Sequence, residues 1–278
     1  METIVHFIDV GQGNMVLIET SNKKFFVFDC NITSDNETRV INYVERQIGY
    51  RKQLAAFICS HRDADHMRGV NILNNNFPIQ KIWDSGYPGT TTDSIEYSRY
   101  MNLRRSIGVS VQEKRTYMDY EMTRLRFLSA QDNRLPENAN AQGLVIKVEH
   151  RNASTCGSST ILTGDCDAET WRAAIVKDYN DVDLKADILM AGHHGSLSFF
   201  DDPADSVNYY ETHMRKIKPT MTIISVGDNP HGHPNKTAVR LYEKHSKGSS
   251  RGNKVFSTKQ KGNMKLTLKD SSWSLDVN

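Results

Sequence analysis

The chain has 278 residues, of which 38% are apolar and 24% charged, and its formal net charge is +2. That length and composition allow a substantial core and exclude a mostly disordered chain, and so small a charge by itself names no nucleic-acid or membrane partner. No run approaches the roughly 18 apolar residues that cross a bilayer, and "METIVHFIDVGQG" has no positive region ahead of an apolar core, so the expectation is a soluble, cytoplasmic protein without a membrane partner.

In chain order, "TIVHFIDV" alternates like a strand, and "NMVLIET" and "KFFVFDC" follow at hairpin spacing, with Gly11, Gly13 and Ser21-Asn22 as turn signals. "RVINYVERQIG" has apolar residues at 40, 41, 44 and 48, a helical rhythm that stops at Gly49. "LAAFICS" has strand length and is followed by a short helix at "GVNILNNN" and a strand at "IQKIWDSG". Residues 87–110 are polar and ambiguous, with a helix open at "SIEYSRYMNLRRSIG". Strand signals return at "RLRFLSA", "GLVIKVEH" and "SSTILTGD", then an amphipathic helix at "AETWRAAIVKDY" with Asp167 in the capping position. "ADILMAG" and "TMTIISVG" read as strands, "KTAVRLYEKH" as a helix, and "NKVFSTK" and "NMKLTLKDSSWSLDV" as a closing pair. No repeat or low-complexity linker divides the chain, so residues 1–278 read as one layered α/β domain. Cys30, Cys59, Cys156 and Cys166 lack paired spacing, which fits reduced thiols better than a disulfide frame.

Several strand ends carry the same kind of chemistry. "LAAFICS" runs into His61-Arg62-Asp63-Ala64-Asp65-His66, and imidazole and carboxylate are the donors that zinc, manganese and iron take. "ILTGDCD" places Asp165 at the carboxyl end of a strand, a usual position for functional side chains in α/β folds. "ADILMAGHHGS" ends in His193 and His194, and "SVGDNPHGHP" gathers Asn229, His231 and His233. "FIDVGQGN" sets Asp9 and Gln12 about a glycine turn, without the lysine or following helix of a phosphate loop. Each cluster alone has a plainer account as a polar loop, a helix cap or a turn. Together they read as a binuclear metal site with one bridging carboxylate.

In order and spacing these five motifs resemble the metallo-β-lactamase fold, and within it the branch related to the extracellular nuclease domain of the DNA-uptake channel protein ComEC, over about residues 3–245. The resemblance implies an α/β, four-layer αββα sandwich and two divalent ions, Zn2+ or Mn2+. It places His61 and Asp63 on one ion, Asp65 and His66 on the other, Asp165 between them, and one of His193 and His194 as the late ligand. In this branch an aspartate commonly stands where the wider fold has a second histidine, which is where Asp63 falls. The stretch "ENANAQGLVIKV" has no histidine ahead of the bridging aspartate. Asn140 matches the asparagine of this branch instead, which leaves one ion with fewer protein donors. Asn14 departs from the usual Gly-Gln-Gly-Asp, and the channel of the uptake proteins is absent, so DNA import is not implied.

The function expected from these residues is phosphodiester hydrolysis, with DNA the first substrate to try. In that scheme Asp65 orients the attacking oxygen and His233 or His231 meets a phosphate oxygen or the leaving group. Asn140 and Asn229 are expected to face substrate, with Asp9, Gln12 and Asp29 (the aspartate of "KFFVFDC") supporting from behind. An esterase or lactonase, and a catalytically silent metal-binding scaffold in a complex or oligomer, are the alternatives. The polar stretch 87–122 and the basic stretch 244–261 are expected around the pocket mouth.

Overall fold

Phe25, Phe26, Val27 and Phe28 are all buried, and alternate members belong to two different cores. A strand has that pattern when both faces of its sheet are covered. The same holds for Thr3–Phe7, which is buried along nearly its whole length, so the alternation read from "TIVHFIDV" does not mark a solvent face.

The computed structural model describes residues 1–151, 156–202 and 205–277. The first sheet is laid down by β1 (Thr3–Phe7), β2 (Val16–Glu19), β3 (Phe25–Phe28), β4 (Ala56–Ile58), β5 (Ile82–Asp84) and β6 (Val109–Val111). β1 to β3 are antiparallel hairpin neighbours, whereas β3, β4, β5 and β6 run parallel. The second sheet follows with β7 (Tyr117–Tyr120), β8 (Thr123–Ser129), β9 (Val145–Arg151) and β10 (Cys156–Leu162), all antiparallel. β11 (Ile188–Met190), β12 (Met221–Ile224) and β13 (Val255–Ser257) extend it in parallel. The chain then returns to the first sheet, where β14 (Met264–Leu268) pairs with β1 and β15 (Trp273–Val277) with β14.

The inner faces of the two sheets meet in one core, where Val5, Phe7, Phe26 and Phe28 pack with Phe127, Ile146, Val148 and Leu162. Full burial of side chains of this size contributes about 1.5–3 kcal/mol each. Helices cover the outer faces. α1 (Glu37–Ile48) and α3 (Val70–Asn76) lie on the first sheet with α4 (Ile95–Ile107), which buries Tyr100 and Leu103. On the second sheet lie a helical run made of Ala168–Thr170, Trp171–Ile175 and Val176–Asp178, and α5 (Lys236–His245). Asp167 caps that run by accepting from the Thr170 N–H, and its middle turn widens into π geometry. The result is the expected four-layer αββα arrangement.

Cys30, Cys59 and Cys166 are free and buried, and the side chain of Cys156 lies outside the described residues. The Cys30 thiol donates to the Arg68 carbonyl and the Cys59 thiol to the His61 carbonyl, while Cys166 accepts from the Trp171 indole N–H. Among the described residues no helix is long and apolar enough to cross a membrane.

Candidate metal centre

The parallel strands β4, β11 and β12 and their neighbours β3 and β10 all end at one edge of the sandwich, and the turns that follow them carry the residues singled out in the sequence. β4 runs into Ser60 and His61, β10 into Gly164 and Asp165, β11 into His193 and His194, and β12 into Ser225. Gly164 brings two of these ends together. Its φ is +55°, and a Cβ there would lie 2.7 Å from the Cβ of Ser60, so only glycine fits the approach. The His193 N–H donates to the Gly164 carbonyl at 3.1 Å, tying the histidine turn to the Asp165 turn.

Backbone strain collects here. Asp29, His193 and His194 have φ of 56°, 48° and 52°, and two successive left-handed side-chain-bearing residues are uncommon. The double left-handed turn turns both imidazoles toward Asp165. His194 Nε2 lies 3.5 Å from Oδ1 of that carboxylate and His193 Nε2 lies 3.6 Å from Oδ2.

Hydrogen bonds behind the site fix which nitrogen of each histidine faces inward. His194 Nδ1 meets the Ser225 carbonyl at 2.8 Å and must donate to it. His66 Nδ1 donates to Asp29 Oδ2 at 2.8 Å. Ser60 Oγ donates to the same oxygen at 2.7 Å, which leaves it to accept from His61 Nδ1 at 3.0 Å. With each Nδ1 held from behind, all three rings present Nε2 to one space, the arrangement by which a carboxylate or carbonyl behind a histidine readies it for a metal. Asp29 is the hub, and Asn14 serves it by donating from Nδ2 to Oδ2 at 3.0 Å. The asparagine that departs from Gly-Gln-Gly-Asp thus supplies a neutral donor to a buried carboxylate.

The inward atoms fall into two sets about Asp165. On the Oδ1 side, His66 Nε2 lies at 3.0 Å and His194 Nε2 at 3.5 Å, with Asp65 Oδ2 3.3 Å from His194. On the Oδ2 side stand His61 Nε2 at 3.9 Å and His193, with Asp63 Oδ2 3.7 Å from His61. His61, His66 and Asp165 are mutually close enough to hold one ion, as are Asp65, His66 and His194. Asp63 joins neither of those triplets; each of its oxygens accepts a hydrogen bond from Thr90.

These residues fit a cation on their own evidence of charge and geometry. His61 Nε2 and Asp165 Oδ1 are buried without a hydrogen-bond partner among the described residues, and His66 Nε2 and His194 Nε2 stand only 3.3 Å apart. A cage of acceptors repels itself unless protons or a positive ion fill it. Burial alone raises the Asp165 carboxyl, but His66, His194 and His193 hold it well below the usual carboxylate range. Burial works against a charged His66 ring, yet Asp165, Asp29 and Asp65 raise it well above the ordinary histidine value. His61, for which burial and His66 outweigh the nearby carboxylates, is lowered.

The cavity in front of these atoms holds about 180 Å3 and is lined by Asp63, Asp65, Asp165, His193 and His194, with Gln12, Asn140, His231 and His233 at its rim. Burial, and after it His193 and His194, lowers His233. Other expected residues sit elsewhere. Asn229 does not line the cavity, because its side chain braces its own loop, accepting from the His231 and His233 N–H groups and donating to the carbonyls of Gly227 and His233. Asp9 also lies outside the lining, bound to the Gly11 N–H and to Arg39. The basic stretch 244–261 is absent from the lining as well. Lys244 pairs with Glu211, Lys254 donates to the Glu243 carbonyl, and Lys259 pairs with Asp228. From 87–122 Gly89 and Thr90 reach the metal-like motif, as does Met101 of α4, whose sulfur accepts from Arg62, while the buried face of α4 packs on the core. Ser60, Ser225 and Thr90 escaped the sequence reading. Ser60 carried a signal, since it separates a buried strand from the first histidine.

No protein-family model matches the chain. It is 27% identical over 229 residues to ComE operon protein 3 of Bacillus subtilis (strain 168), covering 81% of this chain and 26% of that protein, so the chain spans about a quarter of that relative's length. Among solved structures it is similar to the metallo-β-lactamase fold protein YhfI from Bacillus subtilis, with a TM-score of 0.54, 11% identity, and coverage of 96% of this chain and 100% of that one. Igni18, a metallo hydrolase from Ignicoccus hospitalis, gives 0.52 at 10% identity over 98% of both chains. CmlA, a diiron β-hydroxylase from Streptomyces venezuelae, gives 0.56 at 10% identity over 96% of this chain and 54% of that one. The chain has the metallo-β-lactamase fold.

Proposed function

We propose that the chain is a metal-dependent hydrolase that cleaves phosphodiester bonds, with DNA as its substrate class and residues 1–278 acting as one domain. The observation that carries this reading is the cavity, about 180 Å3 and lined entirely by polar and charged side chains. It has room for a phosphate group and its nearest oxygens and offers no apolar wall to an acyl chain, which disfavours an esterase or lactonase. The likeness of the motifs to a nuclease-like domain points the same way.

In this reading Asp65, His66 and His194 would hold one divalent ion and His61, Asp63 and His193 the other, with Asp165 a ligand common to both sets. Ions held there supply Lewis acidity to the phosphorus centre and to the attacking water. Three aspartates make the donor set hard, which favours Mn2+ more than an all-histidine set does, with Zn2+ as the competitor. Asp65 is 33% exposed and reaches into the cavity, so it also orients the attacking water. His231 and His233 stand at the opening, where ring N–H groups bind non-bridging phosphate oxygens or return a proton to the leaving alkoxide. Asn140 supplies an amide where the wider fold has a histidine. The buried free thiols suit a reducing, cytoplasmic setting.

The test is turnover by purified protein with Mn2+ or Zn2+ on plasmid, linear DNA, a cyclic nucleotide and a chromogenic phosphodiester, beside a chromogenic ester and a lactone. Phosphodiester cleavage that disappears in Asp65→Ala is expected. Turnover of esters alone replaces the reading by its enzyme alternative, and metal uptake without any turnover leaves the scaffold.

A further inference from the structure

Asp63 is the carboxylate proposed above to serve one ion with His61 and His193, and it stands beside His61. It stands at the start of α2 (Ala64–Met67), yet it makes no capping bond to the helix. Its two oxygens go to a single residue from another part of the chain. The Thr90 N–H donates to Oδ1 at 2.7 Å and the Thr90 hydroxyl donates to Oδ2 at 2.8 Å. Two bonds from one residue fix the plane of a carboxylate as well as its position, and each oxygen keeps a lone pair for another partner. Held so, Oδ2 lies 3.7 Å from His61 Nε2, a gap that one ion spans with two bonds of about 2 Å.

The loop that delivers Thr90 is itself seated on the motif. Gly89 passes so close to the backbone of Arg62 that a Cβ would meet the Arg62 carbonyl oxygen at 2.2 Å. Arg62 cannot yield, because its guanidinium is buried against Asp84, which also accepts from the Tyr100 hydroxyl and from Arg104. Asp84 accepts in addition from the Gly86 N–H at the start of the same loop. Motif and loop therefore share an anchor, and Thr90 sits at its end.

We propose that Thr90 is the positioning residue for Asp63, and that its double hydrogen bond sets the occupancy of the first metal position. The inference rests on the metal reading above. Thr90→Val keeps the N–H and the side-chain shape and removes the hydroxyl, so Oδ2 loses its tether and the carboxylate is free to rotate about Oδ1. Losing a partner behind a metal ligand weakens binding about 10–100-fold. The loss should fall on the weaker of two ions and spare the tighter one. Gly89→Ala lifts the loop off Arg62 and should give the same pattern without touching Thr90.

The experiment is metal stoichiometry and affinity by calorimetric titration with Mn2+ and Zn2+, with the Co2+ visible spectrum as a probe of coordination and circular dichroism as the check on folding. The expected result is two ions in the wild type, the weaker one lost or bound about 10–100-fold more weakly in Thr90→Val and Gly89→Ala, an altered Co2+ spectrum, and recovery in Thr90→Ser, which restores the hydroxyl. Two ions bound by Thr90→Val with wild-type affinities and spectrum overturn the inference and leave the metal reading standing. A Thr90→Ser variant as weak as Thr90→Val also overturns it, since the hydroxyl is then not the operative group. A folded wild type that takes up no ion overturns the metal reading, and this inference with it.

Discussion

Replacing Asp29 tests the logic of the whole centre, because that carboxylate decides how His61 and His66 are protonated. It is fully buried and accepts four hydrogen bonds, from the Ser60 N–H at 2.6 Å on Oδ1, and from Ser60 Oγ at 2.7 Å, His66 Nδ1 at 2.8 Å and Asn14 Nδ2 at 3.0 Å on Oδ2. In Asp29→Asn the amide oxygen can take the place of only one of those atoms. Its better orientation keeps the three donors on Oδ2 and turns an NH2 against the Ser60 N–H, which leaves both donor groups buried without an acceptor at about 1–3 kcal/mol each. Asparagine tolerates the φ of 56° at this position, so no backbone strain is added. The lost charge also removes what keeps the hydrogen of His66 on Nδ1, and metal affinity should fall about 10–100-fold. Urea unfolding of the metal-free protein measures the first effect and calorimetric titration with Mn2+ or Zn2+ the second. Asp29→Ala, which orphans all four donors, should be less stable than Asp29→Asn. If Asp29→Asn binds metal with wild-type affinity, the hub does not set the histidine tautomers and the reasoning is refuted.

Other outcomes follow from single residues. Asp65→Ala should fold normally, since the side chain is 33% exposed, and lower phosphodiester turnover about 10²–10⁴-fold, as read in steady-state assays at saturating metal. Gly164→Ala combines a left-handed φ of +55° with a Cβ 2.7 Å from that of Ser60. It should cost about 2–4 kcal/mol, from left-handed strain and overpacking together, visible as a lower urea midpoint at unchanged slope. His6 is buried, and burial, with Lys265, pushes its ring down to about 4 from 6.5. The unfolded chain therefore takes up a proton that the folded one refuses between those values, so stability falls as pH drops from about 6.5 to about 4 and levels off below. At about 1.4 kcal/mol per pH unit the loss has a ceiling of about 3.5 kcal/mol. The difference in unfolding free energy between wild type and His6→Gln, followed from pH 7 to about pH 4, should show that slope, and a flat difference would remove the assignment.

The sequence was most legible where local rules and burial agree. "KTAVRLYEKH" reads as a helix from its apolar rhythm and forms one over those residues, with Asn235 capping it. The strand-end clusters were legible because imidazole and carboxylate are seldom dense in a turn without reason, and Asp63, Asp65, Asp165, His193 and His194 do line one cavity. What stayed hidden depends on contacts far apart in the chain. Asp63 meets Thr90 across 27 residues, and nothing in "YPGTTTDS" signals a partner. Asn229 looked like a substrate contact by composition, but a side chain in a Pro- and Gly-rich loop is readily used up by its own backbone. His193 and His194 could not be separated in sequence. The left-handed turn separates them, by assigning each imidazole a different oxygen of Asp165.

Cys30, Cys59 and Cys166 are the direct chain neighbours of Asp29, Ser60 and Asp165, three residues that build the centre. Each cysteine is buried, and burial, reinforced by nearby carboxylates, pushes each thiol well above its usual range. A neutral, enclosed thiol is a poor nucleophile and a poor ligand. The consequence is chemical insulation. Thiols held neutral in this way resist peroxide and compete poorly with oxygen and nitrogen donors for an ion. The described residues that line the cavity offer it oxygen and nitrogen and no sulfur.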